Sequence, residues 1–418
     1  MAGTVLISGA GIAGPALAYW LAHHGFRPTV VEIAPALRTG GSAVDYRGPV
    51  HLGLLERMGV LDRLREVQTG GTAMRFVDAD GRCLMEMPPD FAGGDLEVLR
   101  GDLSRILCEA SGDRTEWLFG DTVTALAETA TGVDVTFRSG VRRTFDLVVG
   151  ADGVHSTVRR LAFGPDRDHV RHLGYHVAGW DMPNHLGLTR DTLNYNVPGR
   201  LAAIGGDHRD PARAAAFVAF SAPAEIAYDR HDLAAQKRIV RERFAGLGWE
   251  VPRMLDALDA ADDLYFDAIC RVDVRPWSRG RIALAGDAAC GATICGMGNG
   301  TALVAAYALA GELAAAGGDH TVAFDRYEAL IGDFARRAQK GGDTTGRFLA
   351  PRTARGIRMR NWLQNQGWFM RLTMRIAGER SAGIDLPSYA GTVVRRPDGL
   401  PEAGPGGSVS AASRPPRR

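Results

Sequence analysis

Thr4-Val5-Leu6-Ile7-Ser8-Gly9-Ala10-Gly11-Ile12-Ala13-Gly14 decides the fold. The first five residues form a short, β-branched-rich apolar run that stops at a glycine, which predicts a buried parallel strand ending in a turn. Ala13–His24 is rich in Ala and Leu and is followed by Gly25, the pattern of a helix with its stop signal. Thr29–Glu32 (TVVE) reads as the next strand, so strand, helix and strand fit the length of a βαβ unit. Within it, Gly9-Ala10-Gly11-Ile12-Ala13-Gly14 is a GxGxxG placed after a strand and at a helix start, the context in which the pattern predicts dinucleotide binding. Gly9 permits the turn, Gly11 lets backbone approach a pyrophosphate, and Gly14 lets helix and strand pack closely. The helix start offers free N–H groups and positive partial charge to phosphates, and Pro15 is tolerated in the first turn. Glu32 closes the second strand. A carboxylate there can accept from both ribose hydroxyls of an adenosine and repels a 2′-phosphate, so FAD or NAD is expected at this motif rather than NADP. The competing reading is a glycine-rich turn with an exposed glutamate.

Composition bounds the rest. The chain has 418 residues, 45% hydrophobic and 23% charged, an ordinary globular balance with two domains as the prior. Lys+Arg number 49 against 48 Asp+Glu, which makes no electrostatic case for nucleic acid. Five cysteines stand at no metal-ligand spacing and are read as reduced thiols of a cytoplasmic protein. No apolar run is long enough to span a bilayer, and the N-terminus has no secretory signature. The expected partners are therefore small molecules, without nucleic acid or membrane, in a monomer or weak homodimer.

Further along, Leu52–Arg65 and Asp102–Ala110 predict helices, Phe145–Gly150 and Arg281–Ala285 predict buried strands ending at Gly/Asp turns, and Thr301–Ala316 predicts a small-residue helix. His172–Met182, Leu193–Ile204 and Ala215–Ser221 have the composition of antiparallel strands. The pieces interleave. The expected α/β architecture is a discontinuous Rossmann-like FAD-binding domain over 1–70, 100–170 and 270–345. A mostly antiparallel substrate sheet over 71–99 and 171–269 is inserted into it. C-terminal helices over 346–392 and a disordered tail over 393–418 complete the chain, the helical signal being Val322–Gln339 and the arginine-rich Arg352–Ile376. For the latter, a solvated face is favoured over a membrane-surface face.

Two more strand ends carry chemistry: Gly150-Ala151-Asp152-Gly153-Val154-His155-Ser156-Thr157-Val158-Arg159 and Gly286-Asp287-Ala288-Ala289. Together with the GxGxxG they resemble the DGxxSxVR and GD fingerprints of the group A flavoprotein monooxygenases, which have the para-hydroxybenzoate hydroxylase fold. The likeness extends to about residue 350 and is strongest to the short tetracycline-inactivating and tailoring type. The resemblance implies FAD as cofactor, with Asp287 accepting a ribityl hydroxyl and Gly298 and Asn299 opening a helix whose dipole faces the flavin N1/C2 carbonyl. Asp152 is implied either as a cap behind the cofactor or as a contact to it. Asp45, in the segment from Arg38 to Asp45, is implied as an FAD contact, Arg38 as a contact to NADPH, and Arg100 of the RxDL segment as reaching the flavin side of FAD. NADPH or NADH is implied as a transient reductant, O2 as co-substrate, and a flavin C4a-hydroperoxide as the species that oxygenates an aromatic or polyketide-like small molecule.

Two departures from the family pattern stand out. Ile33 follows Glu32 where relatives often carry Arg, and Thr293 stands in the Cys290–Cys295 loop where a proline is expected. Cys290 and Cys295 are read as packing residues, since neither has a sequence neighbour that favours a thiolate. The altered loop is the one feature in favour of a flavoprotein that binds FAD and ligand without turnover. Tyr175, His176, Trp180, Tyr195, Asn196 and Phe220 are candidates to line the substrate pocket, each competing with a plain role in the sheet core. No general base is assigned.

Overall fold

A computed structural model describes residues 3–37, 43–207, 209–293, 298–340, 342–373 and 383–394. The predicted first strand is Thr4–Ser8, flanked on one side by Arg27–Glu32 and on the other by Leu147–Gly150, all parallel. Ile282–Leu284 adds parallel to Leu147–Gly150, and Glu116–Phe119 adds parallel to Arg27–Glu32. Ser278–Arg279 closes the other edge antiparallel, giving a six-stranded sheet. Val5, Leu6, Ile7, Val148 and Val149 are fully buried, as near-continuous apolar strands covered on both faces require.

The Ala13–His23 helix covers this sheet and packs on Gly298–Ala315, whose small side chains are buried almost all round. Tyr307 and Tyr389 fasten the segment around Pro387 to this layer: the Tyr307 hydroxyl donates to the Pro387 carbonyl (2.8 Å) and the Tyr389 hydroxyl to Glu312 (2.6 Å). The expected mixed α/β class with a Rossmann-like layer, an inserted sheet and C-terminal helices is what the chain adopts.

The inserted sheet has seven strands in the order Tyr265–Val272, Val170–Pro183, Arg213–Ser221, Arg200–Gly206, Asp191–Val197, Ala73–Val77 and Cys83–Met87. Only the pairing of Asp191–Val197 with Ala73–Val77 is parallel. Its two faces are covered differently. Helices Leu233–Phe244 and Val251–Ala260 bury one face through Trp180, Ile204, Phe220, Phe244 and Leu258. The opposite face carries Phe76, Met85, Met87, Tyr175, Val177 and Leu201, with Phe348 and Leu349 of the Gly342–Leu349 helix packed against it.

Five boundaries differ from expectation. Leu193–Ile204 is not one strand: Asp191–Val197 and Arg200–Gly206 pair antiparallel across a turn at Pro198 and Gly199, whose φ is 74°. Leu52–Arg65 is not one helix: Gly48–Arg57 and Leu61–Glu66 are separated at Gly59, whose φ of 69° no helix accommodates. Phe145 ends a preceding strand, Arg142–Phe145, and Asp146 turns the chain into Leu147–Gly150 while its carboxylate accepts from the Thr4 backbone N–H (2.6 Å) and hydroxyl (2.8 Å). The arginine-rich helix is Ala354–Gln364, followed after a turn by a second helical piece over 367–373. Helices do not extend to 392: residues 383–394 form an irregular strap, suited to Pro387 and Gly391, that returns to the first helix through Val394 N–H to the His24 carbonyl (3.1 Å). Residues 395–418, expected as a disordered tail, lie outside the described residues.

Candidate cofactor and substrate site

The three motif-bearing strand ends lie side by side. Ser8 is level with Gly150, and Gly150 with Leu284. Backbone bonds continue past the strands: Ala151 N–H donates to the Ser8 carbonyl (2.9 Å), Ala285 N–H to the Gly150 carbonyl (2.9 Å) and Gly9 N–H to the Val31 carbonyl (2.7 Å). Glycine is required at two points. Gly9 has φ 106°, and a Cβ there would meet the Ala151 carbonyl at 2.6 Å. A Cβ on Gly14 would lie 1.9 Å from the Gly9 carbonyl oxygen. Helix, first strand end and second strand end therefore touch backbone to backbone, with Ala10, Ile12 and Ala13 buried beneath the turn.

Above Gly11 the space is open except for Arg100, whose Nη2 lies 3.6 Å from the position of a Cβ on Gly11. Arg100 begins the Arg100–Ser111 helix, is exposed, and has no carboxylate within ion-pair distance among the described residues. An unneutralised guanidinium beside an open glycine turn and a helix start suits a pyrophosphate. Arg100→Ala is expected to weaken FAD binding about 10- to 100-fold, the worth of a charge-assisted contact, measured by flavin fluorescence titration of the apoprotein.

Glu32 is half-buried at the end of its strand. Its carboxylate accepts from the Ala10 N–H (2.8 Å) and the Ala34 N–H (3.0 Å). These bonds hold it against the glycine turn and leave each oxygen a further lone pair for a ribose hydroxyl. Ile33, where relatives often carry arginine, is half exposed at 50%.

Asp152 is committed to the protein. It accepts from the Ser8 hydroxyl (3.2 Å), from the Ser156 hydroxyl, and from the backbone N–H groups of Thr157 (2.8 Å) and Val158 (3.1 Å). It thus ties the first strand end to the start of the Thr157–Ala162 helix, which Ser156 caps. Burial pushes its carboxyl up, and these donors oppose the shift. Arg159, fully buried, joins the second strand end to the third: its guanidinium donates to the carbonyls of Ala288 (3.1 Å) and Val154 (2.6 Å) and pairs with Asp166 at 2.7 Å. The sequence motif contained Arg159, but nothing in it revealed this bridge.

Asp287 opens the short Asp287–Cys290 helix with no side-chain partner among the described residues. Burial raises its pKa, and Arg100 pulls the other way. Gly298 and Asn299 begin the Gly298–Ala315 helix. Residues 294–297, Cys295 among them, lie outside the described residues, as does Arg38. Asp45 lies on the Ala43–Tyr46 strand and pairs with Arg47 (2.8 Å), which also donates to the Phe91 carbonyl (2.7 Å). That link joins the two-stranded ribbon formed by Ala43–Tyr46 and Leu96–Leu99 to the sheet face bearing Phe76 and Phe348. Burial raises the Asp45 pKa against the opposing pull of Arg47.

Two residues that the sequence reading left out lie between these groups. The His51 ring packs on Gly300, whose Cβ would fall 2.2 Å from it, and on Tyr46 with centroids 6.2 Å apart. Both are buried, and the Tyr46 hydroxyl and His51 Nε2 have no hydrogen-bond partner among the described residues. Polar atoms left open beside the helix start, an open turn over Gly11 and an unpaired Arg100 all fit an extended dinucleotide with a polar ring system.

The Cys290–Thr293 segment is clamped to the inserted sheet. Thr293 and Cys270 exchange contacts through the Thr293 N–H to the Cys270 carbonyl (3.0 Å) and a 3.4 Å side-chain approach. Gln339 donates to the Gly291 carbonyl at 2.8 Å. These bonds restrain a segment where proline was expected to do so. Cys290 is buried in the core, as a packing cysteine should be. Burial also raises the Cys108 thiol to about 12 and that of Cys270 to about 11, so neither is a thiolate near neutral pH.

Of the pocket candidates, His176, Trp180, Tyr195 and Phe220 point to the sheet face covered by the two helices and belong to its core. Strand alternation places Tyr175 and Asn196 on the other face. Tyr175 is covered by Gly346 and Arg352, and Asn196 is bonded to the Leu349 carbonyl (2.9 Å). His176 is fully buried between Phe220 and Phe266, both ring nitrogens without a hydrogen-bond partner among the described residues, and burial lowers its pKa to about 4. Burial does the same to His51, also to about 4. An unfolded histidine binds its proton near 6.5, so the unfolded state holds more protons between about pH 6.5 and 4, and stability is lost as pH falls through that window. A falling melting temperature below pH 6.5 is expected. His176→Phe should flatten that fall and raise stability by about 1–3 kcal/mol, the cost of an unsatisfied buried polar group; calorimetry against pH checks both.

Comparison with known proteins agrees with this geometry. Residues 3–180 match the family model described as FAD binding domain. A flavin-dependent monooxygenase of Legionella longbeachae is 37% identical over 81% of this chain and 87% of its own. The uncharacterized protein Rv1260 of Mycobacterium tuberculosis is 42% identical over 80% of this chain and 91% of its own. The crystal structure of tetracycline destructase Tet(51) superposes with a TM-score of 0.82 at 34% identity, covering 93% of this chain and all of that one.

Proposed function

The chain belongs to the flavin-dependent monooxygenases, and from that premise we propose that it oxygenates a polycyclic, phenol- or enol-bearing small molecule of polyketide type, with NADPH or NADH as the transient reductant. The observation that carries the substrate class is the apolar sheet face next to the ribbon that bears Asp45. Met74, Phe91, Phe217, Phe348 and Met370 are only partly buried there, and Phe91 stacks on Phe348 at 6.1 Å. Flat aromatic walls suit a fused-ring substrate. The similarity to a tetracycline destructase supports the same class.

When bound, FAD supplies the redox chemistry and the activated oxygen. The protein's residues provide position and exclusion. Gly9–Gly14 and Arg100 would hold the pyrophosphate, Glu32 the adenosine ribose, and Asp287 a ribityl hydroxyl. The start of the Gly298–Ala315 helix would place positive partial charge where negative charge develops on reduction. Asp152 and Arg159 keep the three strand ends in register. Phe91 and Phe348 would orient the substrate and keep water away.

The test is turnover of the purified yellow protein with NADPH or NADH in air against a panel of tetracycline-like polyketides and simple phenols. A product heavier by one oxygen atom, absent without O2 and favoured for fused rings, is expected. Turnover of simple phenols alone would overturn the substrate class. Tight FAD with no oxygenated product from any member would instead support the ligand-binding reading attached to the Cys290–Cys295 loop.

A further inference from the structure

The Ala354–Gln364 helix buries polar side chains. On the Ala354–Gln364 helix the buried residues are Arg360, Asn361 and Gln364. The Arg360 guanidinium donates to the Phe348 carbonyl (2.7 Å) and to Asn196 (2.8 Å), and it lies 4.3 Å from the Phe76 ring centroid. Four large apolar side chains point to solvent, Met359 at 59% exposed, Trp362 at 63%, Trp368 at 58% and Leu372 at 42%, whereas Ile357, Leu363, Phe369 and Met370 are half-buried. Arg355, Arg358 and Arg371 are exposed in the same stretch. Positions 355, 358, 359 and 362 follow helical spacing, so they share one face. Leu84, 45% exposed on the edge strand Cys83–Met87, adjoins this face, since Asn365 donates to its carbonyl (3.0 Å).

We propose that this face docks on an anionic lipid surface, with the helices lying in the plane of the interface. Tryptophans at a face rimmed by arginines have the chemistry of the headgroup boundary, with an apolar body beside a polar N–H. The charge selects among occupants. From Thr344 to Thr373 the sequence has no Asp or Glu. Two copies meeting about a two-fold axis would set this cationic face against itself, whereas anionic headgroups neutralise it. Glu86, exposed on the strand of Leu84, is an acidic neighbour and lowers the attraction without cancelling the arginines. Among the described residues no helix is long and apolar enough to cross a membrane, so the contact is peripheral.

The experiment is co-sedimentation of the full FAD-loaded chain with vesicles of phosphatidylcholine alone or mixed with phosphatidylglycerol, at low and high salt. Binding to the mixed vesicles, lost at high salt and absent with phosphatidylcholine, is expected. Arg355→Gln, Arg358→Gln and Arg371→Gln should each weaken partition about fivefold. Trp362→Ser with Trp368→Ser should abolish it, with unchanged FAD content and melting temperature showing that the fold is intact. No sedimentation with the mixed vesicles at low salt, undiminished binding by the double tryptophan variant, or equal binding to neutral vesicles would each overturn the proposal. So would a dimer by light scattering that the tryptophan changes dissociate while vesicle binding persists.

Discussion

Gly14→Ala is expected to give a colourless protein. The added methyl carbon would lie 1.9 Å from the Gly9 carbonyl oxygen, a backbone atom with no flexible end to move aside. Relief requires the Ala13–His23 helix to lift from the Thr4–Ser8 strand end. That displaces the helix N–H groups from the position proposed for the pyrophosphate. FAD affinity should fall at least about 100-fold, close to 3 kcal/mol, read as flavin retained through gel filtration and as the dissociation constant by titration. Gly53→Ala is the control. Gly53 sits in the Gly48–Arg57 helix with nothing within 4 Å of its Cβ position, so the change should leave flavin content intact and raise stability by about 0.5–1 kcal/mol. Equal flavin loss in both variants would refute a steric role for Gly14.

Arg159→Met should have the largest effect on stability. The guanidinium is fully buried and satisfies the carbonyls of Ala288 and Val154 while pairing with Asp166. Methionine approximates the stem but satisfies none of these acceptors. Removing one member of a buried pair costs about 3–5 kcal/mol, and Asp166 is partly exposed, so the lower end is expected in urea unfolding. Saturating FAD should raise the stability of parent and variant by the same amount where affinity is unchanged, so the loss should persist with cofactor bound. A melting temperature within about a degree of the parent would show that the bridge contributes nothing.

The cofactor half of the molecule was legible because its physics is local. A β-branched run, a glycine at a turn and a carboxylate at the next strand end are read within the span from Thr4 to Glu32, and the structure brings Gly9, Gly150 and Leu284 to one rim. The substrate half was not, because it depends on which face of a sheet is covered. His176 and Tyr175 are adjacent in sequence and alike in composition, yet one faces the Phe220 core and the other the C-terminal helix. Nothing in either strand announces which side receives the helices. The break within Leu52–Arg65 was not legible because the positive φ of Gly59 is a property of the turn in which Gly59 N–H bonds the Glu56 carbonyl and Val60 N–H the Leu55 carbonyl. His51 escaped notice because its signal is the contact with Gly300, far away in the chain. The reversed polarity around Arg360 was equally hidden, since a periodicity of mixed arginine and tryptophan does not say which stripe faces water.

The three strand ends also set an order of events during synthesis. Gly9 emerges from the ribosome first, yet the rim is incomplete until Asp287 and Gly300 have been translated, because Ile282–Leu284 supplies its third member. Riboflavin supply therefore cannot rescue a nascent chain arrested in the inserted sheet. Protection by the cofactor begins only when most of the polypeptide is out, and premature termination before Gly300 should yield fragments that quality control removes however much flavin the cell holds.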